Sequence, residues 1–132
     1  MSLVFTNGCF DILHRGHLEM FRFCKSKADF LLVGIDSDAR VKKLKGESRP
    51  INCENDRKLM LESIRWVDKV VIFNDEQQLS ELIKNSQPDI MVVGSDYKNK
   101  NVIGSNFAKQ LIFFERLNEY STTKTIQYIT NR

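Results

Sequence analysis

Residues 5–21 read FTNGCFDILHRGHLEMF and join an apolar run to the beginning of a helix. The run at 2–6, SLVFT, has the β-branched and aromatic residues of a short strand, and the Asn-Gly pair at 7–8 closes it. Over 15–27 the apolar residues recur mostly at helical spacing. The stretch therefore predicts a strand, a loop and a helix in that order.

The rest of the chain repeats this alternation. DFLLVGI at 29–35 and DIMVVG at 89–94 are nearly continuous apolar runs, as strands buried on both faces should be. The further predicted strands are 67–73 and 111–115, the further helices are 54–64, 75–86 and 121–130, with Asn52 and Ser121 as N-caps, and 36–50 is predicted to be largely an irregular loop. This order predicts an α/β fold with a doubly wound, Rossmann-like, parallel five-stranded sheet, in a single domain over 1–132.

The overall composition narrows the class of protein. The net charge is +3 and no basic run is interleaved with aromatic residues, which argues against a nucleic-acid binder. The three cysteines, Cys9, Cys24 and Cys53, show no C-x-x-C spacing, so neither a disulfide framework nor a structural zinc site is expected. The N-terminus lacks the features of a signal peptide, and no apolar run approaches the length of a membrane span. We expect a cytoplasmic domain with no membrane partner.

His14 and His17 are the only histidines of the chain, and both lie around Gly16. At a helix start they are placed beside exposed N–H groups and the positive end of the helix dipole, where anions bind. A histidine at such a position is more often a solvated cap or a partly buried ring. A zinc site is less favoured, because the metalloprotease motif spaces its histidines four residues apart with a glutamate. The pair alone indicates phosphate binding without establishing it.

Several segments resemble one enzyme family. NGCFDILHRGH is similar to the HxGH signature of the nucleotidylyltransferase superfamily, in its cytidylyltransferase-like branch. ENDRKLMLESIRWVDKVV resembles the segment that carries two functional arginines in glycerol-3-phosphate cytidylyltransferases, and STTK resembles the second signature of the branch. SDARVKKLKGESRPIN and VVGSDYKNKNVIGS are more similar to the adenylyltransferase that makes ADP-heptose from heptose 1-phosphate.

The resemblance implies transfer of a nucleotidyl group from a nucleoside triphosphate to a phosphorylated sugar or polyol, with release of pyrophosphate. The catalytic residues implied are His14, His17, Lys45 and Arg57. The nucleotide-binding residues implied are Gly8, Cys9, Phe10, Asp11, Gly16, Lys43, Arg65, Asp96, Tyr97, Arg116, Ser121, Thr122 and Thr123. It also implies Mg²⁺ bridging the triphosphate without a protein metal cage, and a homodimer.

Simpler roles compete with some of these assignments. Asp11 can orient its own loop. Lys43 and Lys45 can be solvated, with Lys45 the preferred triphosphate contact. Arg65 can make a subunit contact. Both Arg57 and Arg65 can also simply cover the surface of a helix. The hydroxyls at 121–123 can serve as ordinary helix caps.

The branch of the family is left open by conflicting signals. Tyr97 and the NVIGS that follows match the heptose type, which uses ATP. Arg116, five residues before Ser121, matches the glycerol type, which uses CTP. We favour the heptose type. A nucleotide-binding module without catalysis is the alternative from another class, whereas a flavodoxin-like redox domain would need a hydroxyl-rich loop after the first strand.

Overall fold

The structure is a computed structural model, and it describes residues 1–115 and 121–131. The strands are β1 (Leu3–Gly8), β2 (Phe30–Asp36), β3 (Lys69–Phe73), β4 (Ile90–Gly94) and β5 (Gln110–Phe114). The helices are α1 (Arg15–Lys27), α2 (Asp38–Lys45), α3 (Glu54–Glu62), α4 (Glu76–Ser86) and α5 (Thr122–Thr130). Two short 3₁₀ turns, Ser95–Tyr97 and Ser105–Phe107, lie between β4 and β5.

The five strands form one parallel sheet in the order β3-β2-β1-β4-β5. The chain winds from β1 through β2 to β3, then crosses back to the other side of β1 for β4 and β5. The doubly wound, five-stranded α/β fold predicted from the sequence is confirmed. The winding direction reverses between β1 and β4, so their carboxyl ends form the topological switch point, where such sheets bind ligands.

Successive residues of the central strand enter two separate apolar layers. Val4 packs with Phe21 of α1 and Leu61 of α3 on one face of the sheet. Phe5 packs with Leu79 and other residues of α4 on the opposite face. Full burial of such a side chain contributes roughly 1.5–3 kcal/mol. The sheet is therefore buried on both faces, as its continuous apolar runs predict.

Helix α2 corrects the prediction of an irregular loop over 36–50. Ser37 is its N-cap, and the Ser37 hydroxyl accepts a hydrogen bond from the Arg40 amide at 3.2 Å. Gly46 ends the helix with a φ of 100°, a conformation that glycine adopts without strain. Only Val41 of the helix is buried. The helix lacks a wide apolar stripe, which explains why hydrophobic periodicity does not reveal it.

Two details at element ends also differ from the predictions. Strand β1 continues through the Asn-Gly pair, because Gly8 pairs with Ile35 of β2. Asn52 is not the N-cap of α3; that position is Cys53, which makes no side-chain capping bond. The side-chain amide of Asn52 instead donates, through Nδ2, to the main-chain carbonyl of Asp11 at 2.7 Å. Asn52 therefore joins two loops rather than starting a helix.

Within 1–115 and 121–131, none of the helices combines the length and the apolar character that crossing a bilayer requires.

Candidate active site

A cavity of about 430 Å³ lies at the carboxyl edge of the sheet, at the switch point. Its volume falls in the range of about 300–1,000 Å³ that is typical of small-molecule sites. The residues proposed from the sequence that line it are Gly8, Cys9, Phe10, Asp11, His14, Gly16, His17, Lys45, Asp96, Tyr97, Ser121 and Thr123. The structure therefore brings together residues from β1 to α5, as the sequence interpretation requires.

The two histidines form a reciprocal cap at the start of α1. His14 is the N-cap, and its Nδ1 accepts a hydrogen bond from the Gly16 amide at 3.1 Å. The Nδ1 of His17 accepts one from the His14 amide at 3.3 Å. A neutral imidazole whose Nδ1 accepts carries its proton on Nε2. The neutral form of each ring therefore carries its proton on Nε2, and both residues line the cavity.

The ring of Phe10 packs against the ring of His17. Its ring lies edge-on to His17 with a centroid distance of 5.2 Å, and it also packs on Phe21 at 5.1 Å. Phe10 adopts a positive φ of 52°, which turns the backbone so that its ring is buried. A Cβ on Gly8 would lie 3.0 Å from that ring. A larger side chain at position 8 would therefore require the ring of Phe10 to shift.

Asp11 is a junction between the loop after β1 and the loop before α3. Its side chain is 0% exposed and accepts hydrogen bonds from the amides of Ile51 and Asn52 at 2.9 and 2.8 Å, and from Nε of Arg49 at 3.1 Å. Burial by itself would raise the pKa of Asp11, but these hydrogen bonds outweigh burial and hold the pKa below its ordinary value. These contacts join two loops distant in sequence, which differs from the role within its own loop considered for Asp11.

Arg57 is fully buried and is not part of the cavity wall. Its guanidinium donates to the carbonyls of Cys9 and Asp36 at 2.9 and 2.8 Å, to the carbonyl of Asn52 at 3.0 Å and to the carboxylate of Asp38 at 2.8 Å. These contacts tie the carboxyl ends of β1 and β2 to α2 and α3. The catalytic assignment of Arg57 has no support in this geometry, because every guanidinium nitrogen is bonded to protein and Arg57 does not line the cavity.

Lys43 and Arg65 also lie outside the cavity. Lys43 is exposed on α2, whereas Lys45, at the end of the same helix, lines the cavity. Arg65 is exposed and lies over the ring of Trp66 at 5.9 Å. Nucleotide contacts by Lys43 and Arg65 therefore have no support in this geometry.

The start of α5 forms another wall of the cavity. Ser121 is the N-cap, and its hydroxyl accepts from the Lys124 amide at 3.0 Å. Ser121 and Thr123 both line the cavity. Thr122 is the first residue of the helix, and its side chain is outside the described part of the structure, as is all of Arg116. The starts of α1 and α5 therefore meet at one cavity.

These two helices differ from the others in the charge of their first turn. No acidic residue occupies the first turn of α1 or of α5. The first turns of α2, α3 and α4 all carry one or two acidic residues, which is the usual stabilising arrangement. Among the α-helices of the described residues, only those that start at the cavity have a first turn without a carboxylate. This pattern favours an anionic ligand.

The 3₁₀ turn after β4 contributes Asp96 and Tyr97 to the cavity wall. Tyr97 is 45% exposed, with the Lys100 ammonium 5.6 Å from its ring centroid.

Cys9, directly after β1, is half-buried, and burial raises the pKa of its thiol although Lys45 and Arg57 oppose the shift. Burial therefore favours the neutral thiol of Cys9 over the thiolate.

Sequence reasoning missed three charged residues of the cavity. Asp36, the last residue of β2, pairs with Arg40 at 2.8 Å, and each side chain is 14% exposed. Arg49 lies between α2 and α3 and also lines the cavity. The position of Asp36 directly after a buried strand was a usable signal, because carboxyl ends of parallel strands carry ligand sites. The sequence contains no comparable signal that would place Arg40 or Arg49 at the cavity.

Comparison with known proteins agrees with this geometry. A model of the cytidylyltransferase-like family matches residues 5–128. The bifunctional protein HldE of Helicobacter pylori strain Shi470 is 49% identical over 128 residues, which are 97% of this chain and 27% of that protein. The bifunctional protein HldE of Campylobacter jejuni strain RM1221 is 48% identical over 131 residues, 99% of this chain and 28% of that protein. The chain thus spans little more than a quarter of the length of these relatives.

A solved structure has the same architecture. The lipopolysaccharide core biosynthesis protein from Thermoplasma volcanium GSS1 superposes with a TM-score of 0.69 at 25% sequence identity, covering 86% of this chain and 97% of that chain. The family match extends over both helix starts that meet at the cavity. The chain belongs to the cytidylyltransferase-like family of nucleotidyltransferases.

Proposed function

We propose that the chain transfers a nucleotidyl group from a nucleoside triphosphate, preferably ATP, to a sugar phosphate of the heptose 1-phosphate type, and releases pyrophosphate. One observation carries the proposal: the starts of α1 and α5, with His14, His17, Ser121 and Thr123, line one cavity at the switch point. Membership in the cytidylyltransferase-like family supports the reaction type.

The chemistry requires no nucleophile from the protein. The second pKa of a phosphate monoester is near ~6, so the acceptor phosphate is largely ionised at neutral pH and attacks the α-phosphorus directly. The protein must align the acceptor with the triphosphate and stabilise charge on the phosphoryl oxygens and on the departing pyrophosphate. A cavity with imidazole, ammonium and hydroxyl groups, whose cysteine is a neutral thiol, suits this task.

Each helix start has a distinct part in this scheme. His14 and His17 donate Nε2–H to oxygens of the α-phosphate, and their tautomers are fixed in advance by the hydrogen bonds at Nδ1. Such preorganised donors lose little free energy to reorganisation when charge develops. The amides and hydroxyls at the start of α5 bind the β- and γ-phosphates. Lys45 adds a positive charge from the end of α2.

In this scheme Mg²⁺ would enter the site bound to the triphosphate. The described residues contain no group of three or more histidine, cysteine or acidic side chains that could hold a metal ion. In the cavity, Asp36 is paired with Arg40 and Asp11 is committed to main-chain amides. Mg²⁺ commonly binds through substrate phosphates and water with one or two carboxylates, and would neutralise part of the triphosphate charge.

Heptose 1-phosphate and ATP are favoured by two lines of support. Tyr97 and the NVIGS segment match the heptose type, and the HldE relatives are nearly half identical over almost the whole chain. Glycerol 3-phosphate with CTP is the second candidate, and the feature that favours it is Arg116. A homodimer in the cytoplasm also stays a prediction, which size-exclusion chromatography with light scattering and fractionation of cells would test.

Pyrophosphate release tests the proposal. The wild-type chain is assayed with ATP or CTP, each combined with heptose 1-phosphate or glycerol 3-phosphate. We expect the highest kcat/KM for ATP with heptose 1-phosphate. Faster release with CTP and glycerol 3-phosphate would establish the second candidate. Tight nucleotide binding without release for any pair would identify a module that binds nucleotide without catalysis.

A further inference from the structure

Arg49 is a charged residue of the cavity wall that the scheme above leaves without a role. It lies between α2 and α3, and its side chain is only 12% exposed. Its Nε donates to Oδ2 of Asp11 at 3.1 Å. This ion pair fixes one edge of the guanidinium beside the loop that leads to His14 and His17.

One terminal nitrogen of Arg49 lacks an acceptor. Of the buried side-chain nitrogen and oxygen atoms in 1–115 and 121–131, Nη2 of Arg49 is the one that makes no hydrogen bond to the described residues. Native proteins rarely bury an unpaired donor, because it loses its hydration without replacement. The missing acceptor therefore calls for an explanation at this position.

Asp11 does not supply that acceptor. Its Oδ1 accepts from the amides of Ile51 and Asn52, and its Oδ2 accepts from the Ile51 amide and from Nε of Arg49. Because Arg49 lines the cavity, a group that enters the cavity can supply an acceptor to its guanidinium. A planar guanidinium that is already oriented by an ion pair is well suited to phosphate oxygens.

The position of Arg49 in the fold indicates which phosphate group of the two substrates contacts its guanidinium. Among the lining residues, Tyr97 follows β4 and Ser121 and Thr123 follow β5 in the chain, whereas Arg40, Lys45 and Arg49 follow β2, which lies on the other side of β1 in the sheet. In-line displacement places the attacking and leaving oxygens on opposite sides of the phosphorus. With pyrophosphate leaving toward the start of α5, the acceptor approaches from the β2 side.

We propose that Arg49 binds the phosphate of the acceptor and holds its attacking oxygen toward the α-phosphorus. The assignment rests on the proposed function and adds a residue that determines acceptor affinity. Asp11 has a positioning role in this arrangement, because it fixes the guanidinium that makes the contact.

Steady-state kinetics of Arg49→Gln and Arg49→Lys with ATP and heptose 1-phosphate test the assignment. We expect Arg49→Gln to raise the KM for heptose 1-phosphate about tenfold or more, since a hydrogen bond to a charged group is lost. The KM for ATP should stay within about twofold. Arg49→Lys keeps a charge beside Asp11 but loses the planar fork, so it should raise the acceptor KM less. Arg22→Gln, on the exposed face of α1, is the matched control and should change neither constant.

Two results would overturn the assignment while leaving the proposed function intact. The first is an unchanged acceptor KM in both variants, with only a lower Tm, which is the pattern of a purely structural residue. The second is a raised KM for ATP with an unchanged acceptor KM. Arg49→Lys covers the case in which the glutamine variant does not fold. Absence of turnover in the wild type with every acceptor would overturn the proposed function and this assignment together.

Discussion

The imidazole rings of His14 and His17 stack with their centroids 3.8 Å apart and an interplanar angle of 24°. The same two residues cap the start of α1 reciprocally, each accepting an amide hydrogen bond at Nδ1. Because Nδ1 accepts in both rings, the neutral form of each carries its proton on Nε2. Under the proposed function, this helix cap supplies a preorganised pair of phosphate donors.

Removal of either ring should reduce turnover far more than stability. For His17→Ala we expect kcat to fall about 10²–10³-fold, as for loss of one transition-state donor. The cap and the contact with Phe10 are also lost, at a cost of about 1 kcal/mol. Pyrophosphate release and urea denaturation measure the two effects. Unchanged release in a folded His17→Ala variant would falsify the role of this ring.

Arg57 should affect stability rather than substrate binding directly. Arg57→Met leaves three carbonyls and the Asp38 carboxylate without their donor, so we expect a loss of about 3 kcal/mol or more in the free energy of unfolding. Arg65→Met is the matched control, because Arg65 is exposed and should change stability by no more than about 0.5 kcal/mol. Equal stability of the two variants in urea denaturation would contradict the structural role of Arg57.

Asp11 gives a pH dependence of known sign. Its pKa lies below the ordinary value near 3.8, so its contribution to stability is complete above that value and is lost as the pH falls through the lower folded-state pKa. Asp11→Asn should cost about 2 kcal/mol at pH 7, because an amide cannot accept all four contacts. The difference between wild type and variant should shrink below about pH 4. Urea denaturation of both proteins between pH 3 and 7 measures this, and a constant difference would contradict it.

Ser121→Ala distinguishes helix capping from nucleotide binding at the start of α5. Loss of the cap should cost about 1 kcal/mol of stability. If α5 binds the β- and γ-phosphates, the variant should also bind ATP more weakly, by about tenfold. Asp75→Ala, which removes the N-cap of α4 away from the cavity, is the matched control. Titration of ATP by isothermal calorimetry should show weaker binding in the first variant alone.

The alternation of elements was predictable because it rests on local patterns. The continuous apolar runs of β2 and β4 and the spacing within α1 follow from burial alone. Ser121 as the cap of α5 was predictable from residue type and position, and the structure confirms it. The start of α1 was placed correctly because an apolar run ends shortly before it.

The errors occur where distant residues decide the outcome. Helix α2 depends on Ser37, on Gly46 and on a single buried valine, too little for a periodic signal. Arg57 has the residue type of a phosphate ligand, and only the fold reveals that its partners are carbonyls 21 and 48 residues away in sequence. Arg49 and Arg40 reach the cavity through loop geometry that no local pattern encodes.

The most direct measurement is a crystal structure of the chain with the non-hydrolysable analogue α,β-methylene-ATP. We predict one triphosphate bridging the two helix starts, with Nε2 of His14 and His17 within about 3.2 Å of its α-phosphate oxygens and the amides at the start of α5 equally close to its terminal phosphates. A triphosphate that touches only one of these helix starts, or that binds outside the cavity, would contradict the account.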